Sequence, residues 1–297
     1  LGGSGEIGMN MNLFAYGKPG EHKWIMVDIG VTFADDTLPG IDLIYADPGF
    51  VVDKKDSLLG IVLTHAHEDH IGAIAHLWPQ LKCKIFATPF TALLIKEKFK
   101  EKHIDITKEL IIVQLNGTIN LNPFKIEYIT LTHSILEPNG LRIETPSGVI
   151  LHTGDWKVDP NPLIGGKINS KRLQEIGQEG VLAMICDSTN VFSHGKSGSE
   201  LDVRKNMLNI MSSLKKRIII TSFASNVARM ETAFYCAEKT GRQISLVGRS
   251  MHRIYKAARQ CGYLKNSIDP IDPREAKNIS REKIVYLCTG SQGEPMG

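Results

Sequence analysis

The chain has 297 residues, which is enough for one large domain or two smaller ones. Apolar residues make up 42% and charged residues 23%, a composition that excludes a disordered chain and predicts a buried core. The net charge of +3 is only mildly basic, so it neither requires nor excludes a nucleic-acid partner.

Cysteine usage and apolar runs bear on the compartment. There are five cysteines, an odd number, and no two of them share a C-x-x-C spacing. Free thiols in a reducing cytoplasm are the natural interpretation. We find no signal peptide and no apolar run of membrane-spanning length. The sequence therefore predicts a cytoplasmic protein with no membrane contact, and both of its ends look cut from a longer chain.

Short runs rich in Ile and Val alternate with segments of helical periodicity, which predicts an α/β layered fold. The predicted strands are 24–29, 61–64, 84–87, 126–132, 149–153, 181–186, 217–221, 244–247 and 283–288. The predicted helices are 71–81, 91–102, 201–214, 228–239 and 251–260. An S-x-x-E spacing from Ser197 to Glu200 predicts a capping box for the third helix. The polar loop 193–198 predicts a boundary between two domains, 1–195 and 196–297.

The most specific motif is T-H-A-H-E-D-H at residues 64–70, directly after an apolar strand. One short turn cannot aim four ligand side chains at a single ion, but this spacing suits two ions. His65 and His67 lie two apart in extended backbone and can face one metal. Asp69 and His70 lie on the following turn and can face a second.

Two later strands end in further ligand-type side chains. His133 follows the strand predicted at 126–132, and Asp155 follows the strand at 149–153 in the run H-T-G-D. A carboxylate can bridge two cations, and we expect Asp155 to do so. Asp28, which ends another apolar strand, is expected to orient ligands from behind. His152 is expected to point away from the site, because neighbouring strand residues alternate faces.

In these motifs the sequence resembles the metallo-β-lactamase superfamily, whose hallmark is H-x-H-x-D-H, then a distant His and a distant Asp. The resemblance implies an αββα sandwich with two zinc ions held by His65, His67 and His133 for one, Asp69 and His70 for the other, and Asp155 between them. Manganese could replace zinc because the set contains no thiolate. The family's last His ligand has no candidate after Asp155 and is expected beyond Gly297.

Two such ions would activate water and clamp the oxygens of a phosphodiester during hydrolysis, with Asp69 and Asp155 orienting the water. The metal motif alone fits a small-molecule hydrolase, such as a thioesterase or lactonase, equally well. A non-enzymatic RNA-binding scaffold with a vestigial metal site is a third interpretation. The second half of the chain distinguishes among these three.

Three later strands end in small polar or acidic motifs. They are D-S-T-N at residues 187–190, S-F-A-S-N at 222–226 and T-G-S-Q-G-E-P at 289–295. Each motif alone would more often be an ordinary βα turn. A helix start flanked by Ser225 and Asn226 also offers backbone N–H groups to a phosphate.

Together with the opening G-G-S-G-E-I-G-M-N at residues 2–10, these motifs resemble the ribonuclease J family, in which a β-CASP domain accompanies the metallo-β-lactamase fold. The resemblance implies that 196–297 is a partial α/β β-CASP domain and that Asp187 is a catalytic acid. It implies RNA contacts from Ser222, Ala224, Ser225, Asn226 and Ser291. Family members often have His where this chain has Ala228.

The same resemblance implies an activity and partners. These are 5′-3′ exonuclease action on RNA with a 5′-monophosphate end, some endonuclease action, and a role in RNA maturation and decay. It implies a homodimer or homotetramer for the full-length protein. We also expect the first domain to be completed by a segment outside the chain, so that the 297-residue piece alone is poorly active or inactive.

Overall fold

The computed structural model describes residues 1–34 and 37–291. It divides into two compact units. The first consists of Leu1–Leu131, Glu137–Trp156 and Ile168–His194. The second runs from Gly195 onward and includes the short segments Thr132–Leu136 and Lys157–Lys167. Among the described helices, none combines the length and the apolar character needed to cross a bilayer.

The first unit contains most of the strands. They are β1 (Asn12–Tyr16), β2 (Lys23–Val27), β3 (Thr32–Phe33), β4 (Leu43–Ile44), β5 (Leu58–Val62), β6 (Ile85–Ala87), β7 (Leu110–Ile112), β8 (Thr118–Leu121), β9 (Phe124–Thr130), β10 (Asn139–Thr145), β11 (Gly148–His152) and β12 (Ala183–Ile185). The helices are α1 (Gly49–Val52), α2 (Glu68–Ile71), α3 (Ile74–Leu81), α4 (Pro89–Glu101) and α5 (Ser170–Glu179), with a 3-10 turn at Lys55–Ser57.

Two five-stranded sheets form the centre of this unit. One has the order β1-β2-β5-β6-β7, and the other has the order β12-β11-β10-β9-β8. Side chains of both sheets meet in one apolar core, in which Ile25, Val62, Ile126, Tyr128 and Leu141 are buried. A helix pair, α3 and α4, is joined by edge-to-face contact of Trp78 with Phe99. The predicted α/β sandwich is thereby confirmed as the fold class.

The ends of three strands determine where the polar motifs lie. In the first sheet β2, β5, β6 and β7 are parallel, so their carboxyl ends share one edge. β5 ends at Val62, immediately before the H-x-H-x-D-H motif, and Asp28 directly follows β2. In the second sheet, β11 ends at His152. The helix predicted at 71–81 begins later, at Ile74 in α3, because Ile71 ends the short helix α2 and Gly72 and Ala73 separate the two.

The second unit contains a parallel sheet with the order β13-β15-β14. Its strands are β13 (Ile218–Thr221), β14 (Gln243–Val247) and β15 (Ile284–Cys288), and its helices are α6 (Glu200–Ser213), α7 (Val227–Lys239), α8 (Arg249–Gln260) and α9 (Pro273–Ala276), with a 3-10 turn at Arg281–Lys283. Because all three strands are parallel, the loops after β13 and β15 leave the sheet at the same edge.

The cap of α6 differs from the predicted capping box. The N-cap residue is Ser199, not Ser197, and its Oγ accepts a hydrogen bond from Leu201 N at 3.2 Å. Ser199 Oγ also donates to Asp159 Oδ1 at 2.7 Å, and Glu200 N donates to Asp159 Oδ2 at 3.0 Å. The prediction was wrong because the Asp159 carboxylate, which is distant in sequence, accepts the hydrogen bonds of Ser199 Oγ and Glu200 N at the start of α6.

Replacing Asp159 by Asn tests this cap. Burial raises the pKa of the Asp159 carboxyl, but hydrogen bonds from Glu200 N, Ser199 Oγ and Asn161 N outweigh burial and lower the pKa below its usual value of 3.8. A lowered folded-state pKa stabilises the fold above the unfolded-state pKa, and that stability is lost as pH falls through the folded-state pKa.

We expect Asp159→Asn to cost about 2 kcal/mol of unfolding free energy at pH 7. The difference from the parent should shrink as pH falls below 3.8 and through the lower pKa of the folded state, because the carboxyl takes up a proton first in the unfolded chain and then in the folded protein. Urea unfolding at pH 7 and at pH 3 measures both values. A difference that is the same at the two pH values would show that the charge of Asp159 contributes nothing.

Candidate metal centre

The structure brings the predicted ligands together in two groups. His65, His67, His133 and Asp155 form the first ligand group, in which one ligand atom from each residue lies within 4.8 Å of all the others. Asp69, His70 and Asp155 form the second ligand group by the same measure. Asp155 belongs to both groups, which is the arrangement that a bridging carboxylate requires.

Asp28 lies behind both groups and fixes the orientation of two imidazole rings. Its carboxylate is fully buried and accepts from Thr64 N and Thr64 Oγ1, each at 2.8 Å. It also accepts from His70 Nδ1 at 2.7 Å. Thr64 Oγ1 gives its one proton to Asp28, so at 3.0 Å from His65 Nδ1 it must accept. Both rings therefore carry a proton on Nδ1 and present Nε2 to the ligand groups.

The nitrogens of the first ligand group are arranged as for a cation. His65 Nε2 lies 3.1 Å from His67 Nδ1, so two ring nitrogens face the same space. Imidazole nitrogens with carboxylate oxygens, and without a thiolate, form a donor set that zinc and manganese both accept. The chemistry of these donor atoms therefore suits a divalent ion.

Negatively charged carboxylates are concentrated around the second ligand group, where they would attract a cation. Burial raises the pKa of Asp69, but the hydrogen bond and the charge of His70 lower it by more than burial raises it. The pKa of Asp69 therefore lies below 3.8. Burial lowers the pKa of His70, whereas the adjacent carboxylates of Asp28, Asp155 and Asp69 raise it well above 6.5. His70 Nε2 lies 3.4 Å from Asp69 Oδ2 and 3.3 Å from Asp155 Oδ1. Carboxylates thus converge on one imidazole nitrogen.

The glycine-rich N-terminal segment is tied to this group through Asn10. The backbone N and the side-chain Nδ2 of Asn10 both donate to Asp69 O, at 2.9 and 3.1 Å. Nδ2 also lies 3.2 Å from His70 Nε2. Gly30 N donates to Asn10 O at 2.9 Å, which brings a third backbone segment against the same turn. Sequence reasoning missed Asn10 as a neighbour of the ligands, because only long-range backbone pairing places it there.

Gly30 is required where the chain passes the Asp69 turn. A Cβ atom at Gly30 would lie 1.6 Å from Asp69 O and 2.1 Å from Asp69 C, so the backbone would have to shift. We expect Gly30→Ala to cost about 1–3 kcal/mol of unfolding free energy. The same shift should weaken divalent-metal binding at the second ligand group. Thermal unfolding and metal titration check this, and an alanine variant that binds metal like the parent would contradict it.

A cleft of about 360 Å³ opens beside the second ligand group. Asp69, His70 and Asp155 line one part of it, and residues of the loop 3–8, of 152–154 and of 185–189 line other parts. The side chains of Asp69 and Asp155 are 32% and 29% exposed, so a ligand in the cleft can reach both carboxylates. Asp187 lines this cleft, and its backbone N donates to Thr153 Oγ1 at 3.0 Å.

His152, expected to point away from the metal ligands, belongs to neither ligand group. It is buried and is one of the residues that line the cleft. β11 ends at this residue, and the chain then turns at Gly154, which has a φ of +55°. Burial lowers the pKa of His152, which keeps the imidazole neutral near pH 7.

The residues predicted to contact RNA lie at the loops after β13 and β15. Ser222 N donates to Cys288 O at 3.0 Å, and Asn226 Oδ1 caps α7 by accepting from Arg229 N at 3.0 Å. Ala224 and Ser225 are half-buried, and Ser291 is exposed. Residues 292–295 of the predicted T-G-S-Q-G-E-P motif lie outside the described residues.

Comparison with known proteins places the chain in a family. The sequence profile of the metallo-β-lactamase superfamily matches residues 12–174, and the profile of the ribonuclease J β-CASP domain matches residues 215–297. A ribonuclease J of Sinorhizobium meliloti is 43% identical over 297 residues, covering 99% of this chain and 52% of the relative. A ribonuclease J of Corynebacterium glutamicum is 41% identical over 303 residues, covering 100% of this chain and 41% of the relative. The chain thus spans about half the length of such relatives.

A solved structure agrees in fold. A protein of unknown function from Enterococcus faecalis V583 superposes with a TM-score of 0.64 at 16% sequence identity, covering 95% of this chain and 74% of that one. At this identity the likeness concerns the fold alone. The two profiles, the relatives and the H-x-H-x-D-H geometry agree with one another. The chain belongs to the metallo-β-lactamase superfamily, and its residues 215–297 are similar to the β-CASP domain of ribonuclease J.

Proposed function

We propose that the protein is a metal-dependent ribonuclease that hydrolyses RNA phosphodiester bonds. The observation that carries this proposal is the Asp155 carboxylate, which belongs to both ligand groups beside an open cleft. The β-CASP sequence at residues 215–297 favours RNA over a small thioester or lactone as substrate, and the intact ligand groups favour an enzyme over a scaffold. The relatives named ribonuclease J support the same choice.

In the proposed site, His65, His67 and His133 with Asp155 hold one divalent ion, and Asp69 and His70 with Asp155 hold the other. Zinc is our choice of metal, and manganese is the alternative that the donors also accept. When bound, such ions supply Lewis acidity, which makes water a better nucleophile and offsets the charge of a phosphate.

The protein side chains then have separate tasks. Asp69 and Asp155 orient the attacking water by accepting its protons in hydrogen bonds at their exposed carboxylate oxygens. Asp28 keeps the His65 and His70 rings in the orientation that presents Nε2. Asp187, in the same cleft, is assigned a role in proton transfer. We assign RNA contacts to Ser222, Ala224, Ser225, Asn226 and Ser291.

We further propose 5′-3′ exonuclease action on RNA with a 5′-monophosphate end, accompanied by some endonuclease action, in RNA maturation and decay. The proposed compartment is the cytoplasm, supported by an odd number of cysteines, no two of which share a C-x-x-C spacing. A homodimer or homotetramer of the full-length protein is proposed from the likeness to ribonuclease J. We also propose that the 297-residue piece alone is poorly active or inactive. It should therefore be compared with a C-terminally longer form in every activity assay.

The experiment is a hydrolysis assay of the C-terminally longer form with 5′-monophosphate and 5′-triphosphate RNA of one sequence, with the metal content of the protein measured in parallel. We expect faster loss of the 5′-monophosphate RNA, release of mononucleotides, and loss of activity in Asp69→Ala. Equal activity of Asp69→Ala and the parent would contradict the proposal. Hydrolysis of thioesters or lactones without hydrolysis of RNA would favour the small-molecule alternative.

A further inference from the structure

His152 ends β11 with only one of its two ring nitrogens hydrogen-bonded. Its Nδ1 accepts a hydrogen bond from Gly154 N at 3.0 Å, so the ring proton is on Nε2. Nε2 is buried and has no hydrogen-bond partner in the described part of the chain. The ring of Phe14 meets the imidazole edge-on at 6.1 Å between centroids. The surroundings of this ring are therefore partly apolar.

Packing alone does not account for a histidine at this position. A buried N–H without a partner destabilises the fold, and a leucine of comparable size would avoid that penalty. The feature that leucine lacks is the acceptor at Nδ1. The hydrogen bond to Gly154 is thus the interaction that only a side chain with an acceptor at this place can supply.

Gly154 sits in a turn that has little freedom. Its φ is +55°, and a Cβ atom there would lie 2.9 Å from Asn139 O and 3.1 Å from Thr64 Cβ. Thr153 Oγ1 donates to Gly154 O at 2.7 Å and accepts from Asp187 N at 3.0 Å. The N–H and the C=O of Gly154 are therefore both held by side chains of the two preceding residues. The next residue is Asp155, the carboxylate common to both ligand groups.

We propose that His152 is a positioning residue whose Nδ1, by accepting from Gly154 N, holds the turn that presents Asp155 to both ligand groups. The inference rests on the metal-binding part of the proposed function. It assigns His152 neither to the metal nor to the substrate. Because Asp155 is shared, loss of the Nδ1 acceptor should weaken both metal-binding events and not one alone.

The test compares four proteins, each in the C-terminally longer form: the parent, His152→Asn, His152→Gln and His152→Leu. The asparagine Oδ1 takes approximately the place of Nδ1, whereas the glutamine amide extends toward the place of Nε2. Asn and Gln therefore form a matched pair of amides that differ in where they offer an acceptor. Each metal-stripped protein is titrated with Zn²⁺ by calorimetry, and its thermal unfolding is measured without metal.

We expect His152→Leu and His152→Gln to bind both zinc ions about 10- to 100-fold more weakly. His152→Asn should bind zinc like the parent, although its smaller side chain leaves a cavity and lowers the unfolding temperature. His152→Leu removes the unpaired Nε2–H but leaves Gly154 N without its acceptor, and these two effects offset each other, so its unfolding temperature should stay close to that of the parent. Metal affinity and thermal stability should thus rank the Asn and Leu variants in opposite orders, which a purely structural role would not produce.

Asp69→Ala calibrates the measurement, since it removes a ligand from the second group only and should abolish one binding event. Zinc binding by His152→Leu and His152→Gln at parental affinity would overturn the proposal, and so would His152→Asn binding as weakly as they do. Weakening of a single event would also overturn it. A parent chain that binds no zinc would refute the proposed function, a result distinguishable from all of these.

Discussion

Asp155→Ala should abolish divalent-metal binding at both ligand groups while leaving the fold intact. The carboxylate is the ligand shared by the groups, so its loss leaves each group one donor short. We expect both affinities to fall by more than about 100-fold, since residues that merely orient a ligand already contribute roughly 10- to 100-fold. RNA hydrolysis should fall to background, because neither ion would be retained.

The fold should tolerate this change because Asp155 is not a core residue. Its side chain is 29% exposed, and its charge raises the pKa of Asp69, so the two carboxylates repel each other in the absence of metal. Unfolding of the metal-free variant should lie within about 1 kcal/mol of the parent. Metal titration and urea unfolding measure the two effects, with the exposed Asp53→Asn as control. Retention of one tightly bound ion in Asp155→Ala would contradict the bridging role.

Asp28→Asn should lose stability as well as metal affinity, whereas Asp155→Ala should lose metal affinity alone. The Asp28 carboxylate accepts from Thr64 N, Thr64 Oγ1 and His70 Nδ1 within the buried interior. An asparagine amide places an NH₂ group against at least one of these donors and leaves it unsatisfied. We expect a loss of at least about 2 kcal/mol of unfolding free energy.

Asparagine is chosen because Asp28 has a φ of +62°, a conformation that asparagine adopts more readily than alanine. The backbone is thereby left unstrained, and the effect reports on the carboxylate. Release of the His65 and His70 rings should weaken zinc binding about 10- to 100-fold. Urea unfolding and zinc titration are compared with those of Asp42→Asn, an exposed carboxylate in the same unit. Parental stability of Asp28→Asn would contradict the assigned network.

The sequence predicted which His and Asp side chains lie together because strand and motif information coincided. The H-x-H-x-D-H turn follows β5, Asp28 follows β2, and these strands are parallel neighbours in one sheet. A His or Asp that follows one of these apolar strands therefore lies at the edge of the sheet where the parallel strands end. The strands of the second unit were predicted within a residue or two, because each contains a short run of Ile, Leu or Val between polar segments.

What the sequence could not predict depends on contacts between distant segments. Helix α5 has a mostly polar sequence with one buried residue, Ile176, and it is held by ion pairs such as Arg172 with Glu127. Strand β1 is recognisable only by its antiparallel pairing with β2. The position of Asn10 beside His70 likewise follows from long-range backbone pairing rather than from a local pattern.

The most direct test of the metal centre is anomalous diffraction at the zinc absorption edge, from crystals of the chain grown with Zn²⁺. We predict two peaks, one among the nitrogens and carboxylate of the first ligand group and one among Asp69, His70 and Asp155, at coordination distances of about 2.0–2.2 Å. Peaks elsewhere, or a single peak that Asp155 does not contact, would contradict the account.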